Sequence, residues 1–297
     1  MSTYNATINR VFSNNVISDL VTKGKNDVYD YVVKRYIKDS RGKTNGQLIS
    51  EIYKYMGKSH RNEYYYVNTL LNKLLVGIHN VNTTTALTQV RIANHIADFV
   101  MINGEGCVYE IKSNLDNMVR LKEQLSDYYK AFSKVSVLVS EKERKNAIAI
   151  LKELGSMGEA VGIYVLSDSN RIFSKTISRE PKGYNEYLDY SCLFALMRKK
   201  EYESVVFSYY HELPSVAPVF YYKECLKKFS EIPILEAQRM VFQQLKKRNR
   251  ISKEEFESVP LELKSAVYFS PLAKNIDGIT SFCSRPYQEV CICISHT

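Results

Sequence analysis

Tryptophan is missing from this chain, so its aromatic surface comes from 23 tyrosines and 12 phenylalanines. Tyrosine serves as amphipathic core and boundary material as well as a platform on which bases stack, so its abundance alone selects no function. No apolar run approaches the roughly 20 residues that a membrane-spanning helix needs, which argues against a membrane partner. The opening residues Met1-Ser-Thr-Tyr-Asn-Ala-Thr-Ile8 have neither the basic region nor the apolar stretch of a secretory signal. A cytoplasmic location is therefore expected. The six cysteines (Cys107, Cys192, Cys225, Cys283, Cys291 and Cys293) include no Cys-x-x-Cys pair. Cys291-Ile-Cys293 is too tight to define a zinc ribbon, and free thiols in a reducing compartment are expected. Internal repeats and low-complexity tracts are also missing, which excludes solenoids and biased-composition linkers.

Acidic residues are the minority charge: 32 Asp and Glu stand against 41 Lys and Arg, a formal net charge of +9. Such an excess attracts polyanions through its long-range field. With 297 residues, 45% of them apolar and 25% charged, the chain has the composition of a globular protein of one large or two ordinary domains.

Residues 1–58 read as a helical extension. Val28 to Ile37 carries an i, i+3, i+4 apolar stripe, and Thr44 with Gln47 offers a capping box before Leu48-Ile49, Ile52-Tyr53 and Met56. Glu51 falls off that stripe and should be solvated. The next helix carries Val67, Leu70, Leu71 and Leu74 on one stripe, with Glu63 one turn earlier on the same line. Three strands are expected next, over 83–92, 95–102 and 106–112. A helix over 115–132, a strand over 135–140, a helix over 141–154 and a strand over 160–166 complete a strand–helix–strand pattern. A turn-rich stretch near 167–184 marks a boundary, and residues 184–297 read as a mostly helical region. The basic run Lys246-Lys247-Arg248-Asn249-Arg250 closes one of its helices, where cations complement the dipole.

The segment Asp98-Phe-Val-Met-Ile-Asn-Gly-Glu-Gly-Cys-Val-Tyr-Glu110-Ile111-Lys112 carries the most information. It reads as two apolar strands joined by a Gly-rich turn, with two carboxylates and a lysine set into them. Glu110 and Lys112 share a face, because strand side chains alternate. Asp98 joins that face only if the loop has an odd number of residues. A two-residue Asn103-Gly104 turn would place Asp98 and Glu110 on opposite faces and rule out a shared metal. An odd-length loop with Gly104 left-handed is therefore predicted, for instance over Ile102-Asn103-Gly104. On the following helix Gln124 and Tyr128 lie four apart, with Arg120 a turn earlier, and both carry groups that can orient an acid, a water or a phosphate. His95 is expected to be a strand-edge residue.

Taken in order, Glu63 on a helix, Asp98 on the second strand, Glu110-Ile111-Lys112 on the third and Gln124-x-x-x-Tyr128 on the next helix resemble the PD-(D/E)XK nuclease superfamily, particularly its RecB/lambda-exonuclease branch. Residues 61–140 also resemble uncharacterised bacterial and phage-type proteins of that superfamily, in Arg61-Asn-Glu63-Tyr, Leu70-Leu-Asn-Lys-Leu74, Ala97-Asp-Phe, Tyr109-Glu-Ile-Lys112 and Tyr128-Tyr-Lys-Ala-Phe132. The residue before Asp98 is Ala97 rather than proline, a position loosely kept in the superfamily. The resemblance implies a restriction-endonuclease-like α/β core, a mixed sheet flanked by helices in the order αβββαβ, over residues 59–170. It also implies a metal-dependent phosphodiesterase. Asp98, Glu110 and the Ile111 backbone carbonyl would bind Mg²⁺, with Mn²⁺ as a substitute and Glu63 completing the shell directly or through water. Lys112 would orient or activate water and offset phosphate charge, and Gln124 and Tyr128 would position substrate or ligands. The expected partner is nucleic acid, DNA ahead of RNA, in phage-related or defence biology. A homo-oligomer or protein contact through the C-terminal helical region is the other partner expectation. An RNA-directed nuclease and a catalytically silent binding or assembly protein on the same fold are the alternatives. For Glu63, an ion pair in a structural core is the rival reading; for Gln124 and Tyr128 it is a solvated helix face.

Overall fold

The computed structural model describes residues 3–59, 61–76, 81–113, 116–167, 172–173, 179–248 and 251–288. The chain divides into two compact units, residues 1–74 together with 251–297, and residues 75–250. This division differs from the expected boundaries at 58 and 184 in grouping residues 251–297 with the N-terminal helices.

The first unit begins with α1 (Thr3–Arg10), α2 (Asn14–Lys23), α3 (Asp27–Tyr36), α4 (Asn45–Ser59) and α5 (Glu63–Leu71). The predicted capping box forms before α4: Thr44 N–H donates to Gln47 Oε1 at 2.8 Å and Gln47 N–H to Thr44 Oγ1 at 3.3 Å. Ile49, Ile52, Tyr53 and Met56 are buried, and half-exposed Glu51 pairs with Lys43 at 2.7 Å.

The second unit is built on a sheet of six strands in sequential order: β1 (Thr85–Ile92), β2 (His95–Asn103), β3 (Glu105–Lys112), β4 (Lys134–Ser140), β5 (Gly162–Leu166) and the two-residue β6 (Ile172–Phe173). Strands β1, β2 and β3 form an antiparallel meander, β3, β4 and β5 run parallel, and β6 returns antiparallel. The protein is thus α/β with a mixed sheet. The parallel pairs require crossovers, supplied by α6 (Leu121–Tyr128) and by α7 (Arg144–Lys152) with α8 (Gly155–Ala160). Helix α6 is shorter than the predicted 115–132. Asp116 takes the Ser113 N–H at 2.8 Å and the Ser113 hydroxyl at 2.6 Å ahead of the helix, and Leu115 lies outside the described residues.

Four helices follow the sheet: α9 (Tyr190–Ala195), α10 (Lys199–Tyr210), α11 (Pro218–Ser230) and α12 (Ile234–Lys246). They join the core on one sheet face, where Val100, Ile102, Val108, Val135, Val137, Val139, Ile163 and Val165 are buried against Leu121, Leu125, Phe229, Val241 and Phe242. Gly106 admits α12 to this face. A Cβ there would come within 2.6 Å of the Phe242 ring and 2.8 Å of the Phe132 ring. The basic run splits in function: Lys246 ends α12, whereas Arg248 turns inward, donating to Glu201 Oε1 at 2.7 Å and to the Leu196 carbonyl at 2.9 Å. Asn249 and Arg250 lie outside the described residues.

The C-terminal segments α13 (Lys253–Ser258), α14 (Lys264–Tyr268) and α15 (Ile276–Ser284) belong to the first unit. Asn68 shows why. It is fully buried on α5; its amide donates to the Tyr53 hydroxyl and the Leu261 carbonyl, both at 2.9 Å, and its carbonyl accepts from Ser265 N–H at 2.9 Å. Asn45 likewise donates to the carbonyls of Phe282 and Arg285, at 3.3 and 3.2 Å.

Candidate functional site

The β2–β3 register decides whether the two acids can meet. Asn103 pairs with Glu105 across Gly104, and the ladder continues through Ile102↔Gly106, Met101↔Cys107, Val100↔Val108 and Phe99↔Tyr109. Gly104 has φ of +73°, where a side chain is disfavoured. The connection is therefore odd-length, as a shared site demands, with its centre at Gly104 rather than at Asn103. Extended one step past its last pair, this register sets Asp98 against Glu110. The two acids continue the row of Ile102, Val100, Gly106 and Val108, on the sheet face that meets the helical core.

Regular pairing ends at that step although both strands continue. The Ile111 N–H donates to Asp98 Oδ2 at 2.8 Å, so a side chain takes the place of a ladder carbonyl. The disturbance extends to β1. Its register with β2 places Gln89 opposite Asp98, and Gln89 has φ of +54°, an uncommon conformation for a residue other than glycine. Irregular pairing on both sides of Asp98 marks a position where the sheet gives up regularity, as strands do beside sites that must aim a side chain.

Helix α6 supplies the rest. Lys112 Nζ lies 2.8 Å from Glu110 Oε1 and donates to Gln124 Oε1 at 2.9 Å. The Tyr128 hydroxyl lies 2.6 Å from Glu110 Oε2 and 3.0 Å from the Ile96 carbonyl. A hydroxyl has one proton, so these two acceptors share it. Burial, followed by the charges of Glu110 and Asp98, pushes the Tyr128 hydroxyl well above the ordinary tyrosine range, which keeps that proton in place. Glu110 and Lys112 are only 1% and 7% exposed and Tyr128 is fully buried, while Asp98 and Gln124 are half-buried. Removing two ions from water costs several kcal/mol each; mutual pairing and bonds to Gln124 and Tyr128 offset that cost here.

Asp98, Glu110, Lys112, Gln124 and Tyr128 are therefore gathered around one sheet position. Glu63 is placed differently from its predicted alignment. Val67, Leu70, Leu71 and Leu74 are buried, but Glu63 opens α5 and is exposed. First-turn geometry accounts for this: Asn62 caps the helix through Tyr65 N–H, and an acid in the first turn gains from the helix dipole while solvated. Glu63 belongs to the first unit and the other five residues to the second.

Sequence reasoning missed a neighbouring cluster. Asp127 Oδ2 accepts from His95 Nδ1 at 2.7 Å and from Asn94 N–H at 3.1 Å, and Asp127 Oδ1 lies 2.6 Å from Lys130 Nζ. Burial would raise this carboxyl, but the bonds from Lys130, His95 and Asn94 outweigh it and hold Asp127 below the ordinary aspartate range. The signal was present, since Gln124, Asp127 and Tyr128 stand at i, i+3 and i+4 and share one helix face. Gln89 gave no such signal within a Thr-rich strand.

As donors for a cation, the carboxylates of Asp98 and Glu110 and the Ile111 carbonyl are hard oxygens of the kind that suits Mg²⁺ or Mn²⁺. The set fits such an ion in donor chemistry, with the Glu110 bonds to Lys112 and Tyr128 exchanging for metal contacts. Among the described residues no group of three or more His, Cys, Asp or Glu side chains is arranged to hold a metal, so the set is two carboxylates and a backbone oxygen.

Fold and site together define an α/β protein whose mixed sheet carries a buried carboxylate–lysine–tyrosine cluster at an interrupted strand pair. The family model described as bacteriophage P4 protein cII matches residues 56–264, well over half of the chain, and the chain belongs to that family. No curated protein and no solved structure matches it. No helix among the described residues is long and apolar enough to cross a membrane.

Proposed function

We propose that the chain is a metal-dependent nuclease of the PD-(D/E)XK type, acting on DNA ahead of RNA. The observation that carries this reading is the bond of Asp98 to the Ile111 N–H, next to Glu110, with Lys112 paired to Glu110, Gln124 bonded to Lys112 and Tyr128 bonded to Glu110. Asp98, Glu110 and the Ile111 carbonyl would hold Mg²⁺ or Mn²⁺. Such an ion polarises a phosphate oxygen and makes water more acidic. Lys112, released from Glu110, places its ammonium against the charge that accumulates on the phosphate. Gln124 fixes the Lys112 amine, and Tyr128 holds Glu110 in orientation through its single proton. The family's bacteriophage description suits a phage-related setting.

The test is incubation with linear duplex, circular duplex and single-stranded DNA and with RNA, each with Mg²⁺ and with Mn²⁺. Cleavage is expected, and Asp98→Asn or Lys112→Ala should abolish it while Lys112→Ala leaves substrate binding largely intact. If no substrate is cut under either ion, the nuclease reading fails. One observation favours a second reading, a silent nucleic-acid-binding protein on the same scaffold: both carboxylate oxygens of Glu110 are already bonded to protein partners. Manganese titration followed by electron paramagnetic resonance separates the two. Binding that Asp98→Asn removes supports the enzyme, and absence of binding supports the silent protein.

A further inference from the structure

The first unit contains a pocket of about 470 Å³ that plays no part in the site on the sheet. That volume falls in the range of small-molecule sites and far exceeds the needs of a bare inorganic anion. Its walls combine three cations, Lys23, Lys25 and Arg285, with Tyr29, Tyr287 and Asp30. The cations are not equivalent. Lys23 lies in the last turn of α2, where it complements the helix dipole, and it pairs with Asp19 at 2.7 Å. Lys25 has no carboxylate partner among the described residues, and Arg285 bonds there to the neutral Ser281 hydroxyl at 2.9 Å. Two positive charges at the pocket are thus available to an anion.

The rest of the lining gives the anion a body. Tyr29 is buried, with its hydroxyl held by the Asn45 side chain at 3.1 Å, and it packs edge-on against Phe282 and Tyr287 with ring centroids 6.2 and 6.0 Å away. These contacts make a fixed aromatic wall rather than a collapsible one. Half-buried Asp30 receives the Tyr287 hydroxyl at 3.2 Å on one oxygen, which leaves acceptor capacity on the carboxylate. A carboxylate beside cations selects a ligand that offers hydroxyl or amino donors away from its own negative end, as a sugar ring does.

We propose that this pocket binds a nucleoside monophosphate: its phosphate on Lys25 and Arg285, its sugar or base donors on Asp30, and its planar part along the Tyr287 wall. The assignment does not depend on the nuclease reading, because no residue of the sheet site takes part.

Calorimetric titration of the full chain in EDTA tests it, with adenosine monophosphate, adenosine and inorganic phosphate as separate probes. Saturable binding of the monophosphate is expected, with adenosine and phosphate each at least about tenfold weaker, a difference of roughly 1.4 kcal/mol. The double variant Lys25→Ala/Arg285→Ala should weaken the monophosphate at least about tenfold, whereas Asp98→Asn should leave it unchanged. Both substituted side chains are exposed, and the Arg285 carbonyl that Asn45 uses is untouched, so unaltered circular dichroism and melting are expected. No saturable monophosphate binding overturns the proposal, as does binding that the double variant retains, or phosphate binding as tight as the nucleotide. The three-ligand comparison on the unaltered protein decides the matter even if the variant misfolds.

Discussion

Each unit of this protein buries a polar hub, and the two hubs are built on different principles. In the first unit the hub is Asn68, a neutral amide whose partners include the Leu261 carbonyl and the Ser265 N–H, nearly two hundred residues away in sequence. In the second it is Glu110, a carboxylate held by the side chains of Lys112 and Tyr128, drawn from its own strand and the following helix. Bonds to distant backbone fix a chain path and cannot be exchanged without unfolding it. Bonds between side chains can be exchanged for a ligand while the backbone stays in place. The contrast explains why one buried polar cluster reads as architecture and the other as a candidate site.

Lys112→Ala should produce the largest effect. It leaves Glu110 buried without its counter-ion, and breaking one partner of a buried pair costs about 3–5 kcal/mol. Chemical denaturation followed by tyrosine fluorescence measures the loss. The double variant Glu110→Leu/Lys112→Met should recover much of this stability, since well-packed apolar replacements for buried pairs are often neutral or stabilising. Cleavage should stay absent in both. Full stability in Lys112→Ala would mean that Glu110 is not held as a buried ion, and the comparison would break.

Asn68→Ala comes next. It strands the Ser265 N–H, at about 1–3 kcal/mol when left unsatisfied, and takes a donor from the Tyr53 hydroxyl, whereas the Leu261 carbonyl keeps the Asn72 amide at 3.2 Å. The expected loss is about 2–3 kcal/mol, with the proposed nuclease activity unaffected under conditions where the protein stays folded. Faster proteolysis near Leu261 would locate the damage at the junction of the N- and C-terminal segments. Loss of activity without loss of stability would show that Asn68 serves more than architecture.

How much of this could be read from residues alone depended on range. The common face of Glu110 and Lys112 follows from local alternation; the odd parity of the hairpin followed from requiring Asp98 on that face, and the structure has the odd connection. The Thr44–Gln47 box is equally local. What escaped was non-local or conformational. The union of residues 1–74 with 251–297 rests on bonds such as those of Asn68 to Leu261 and Ser265, and no periodicity announces them. Gln89 takes a positive φ within a strand with no glycine or asparagine there to announce it. Glu63 sat on the apolar stripe by angle, yet its position in the first turn placed it in solvent.

Gly104→Ala tests the parity that brings the acids together. At φ of +73° a methyl group is unfavourable by about 1–2 kcal/mol, although nothing lies within 4 Å to clash with it. The expected result is that modest loss with the register kept, because the apolar row on the core-facing side penalises a one-residue slip. Should the variant instead lose manganese binding at full stability, the turn would have shifted and carried Asp98 away from Glu110.

The smallest effect belongs to the cluster beside the site. Asp127→Asn removes the acid shared by His95 and Lys130, and since Lys130 is partly exposed the cost at neutral pH should be about 1 kcal/mol or less. Its pH dependence is the sharper readout. The Asp127 carboxyl lies below its ordinary value of 3.8 in the folded protein. Its contribution is therefore complete above the unfolded value and disappears as the pH falls through the lower folded one. The stability gap between the unaltered protein and Asp127→Asn should be constant from neutral pH down to about 5, then close below that as the unfolded chain takes up its proton first. A gap that widens on acidification would mean that burial outweighs the bonds from Lys130, His95 and Asn94. Asp127 would then be an acid that its burial destabilises, rather than a satisfied one holding His95 and Lys130 beside it.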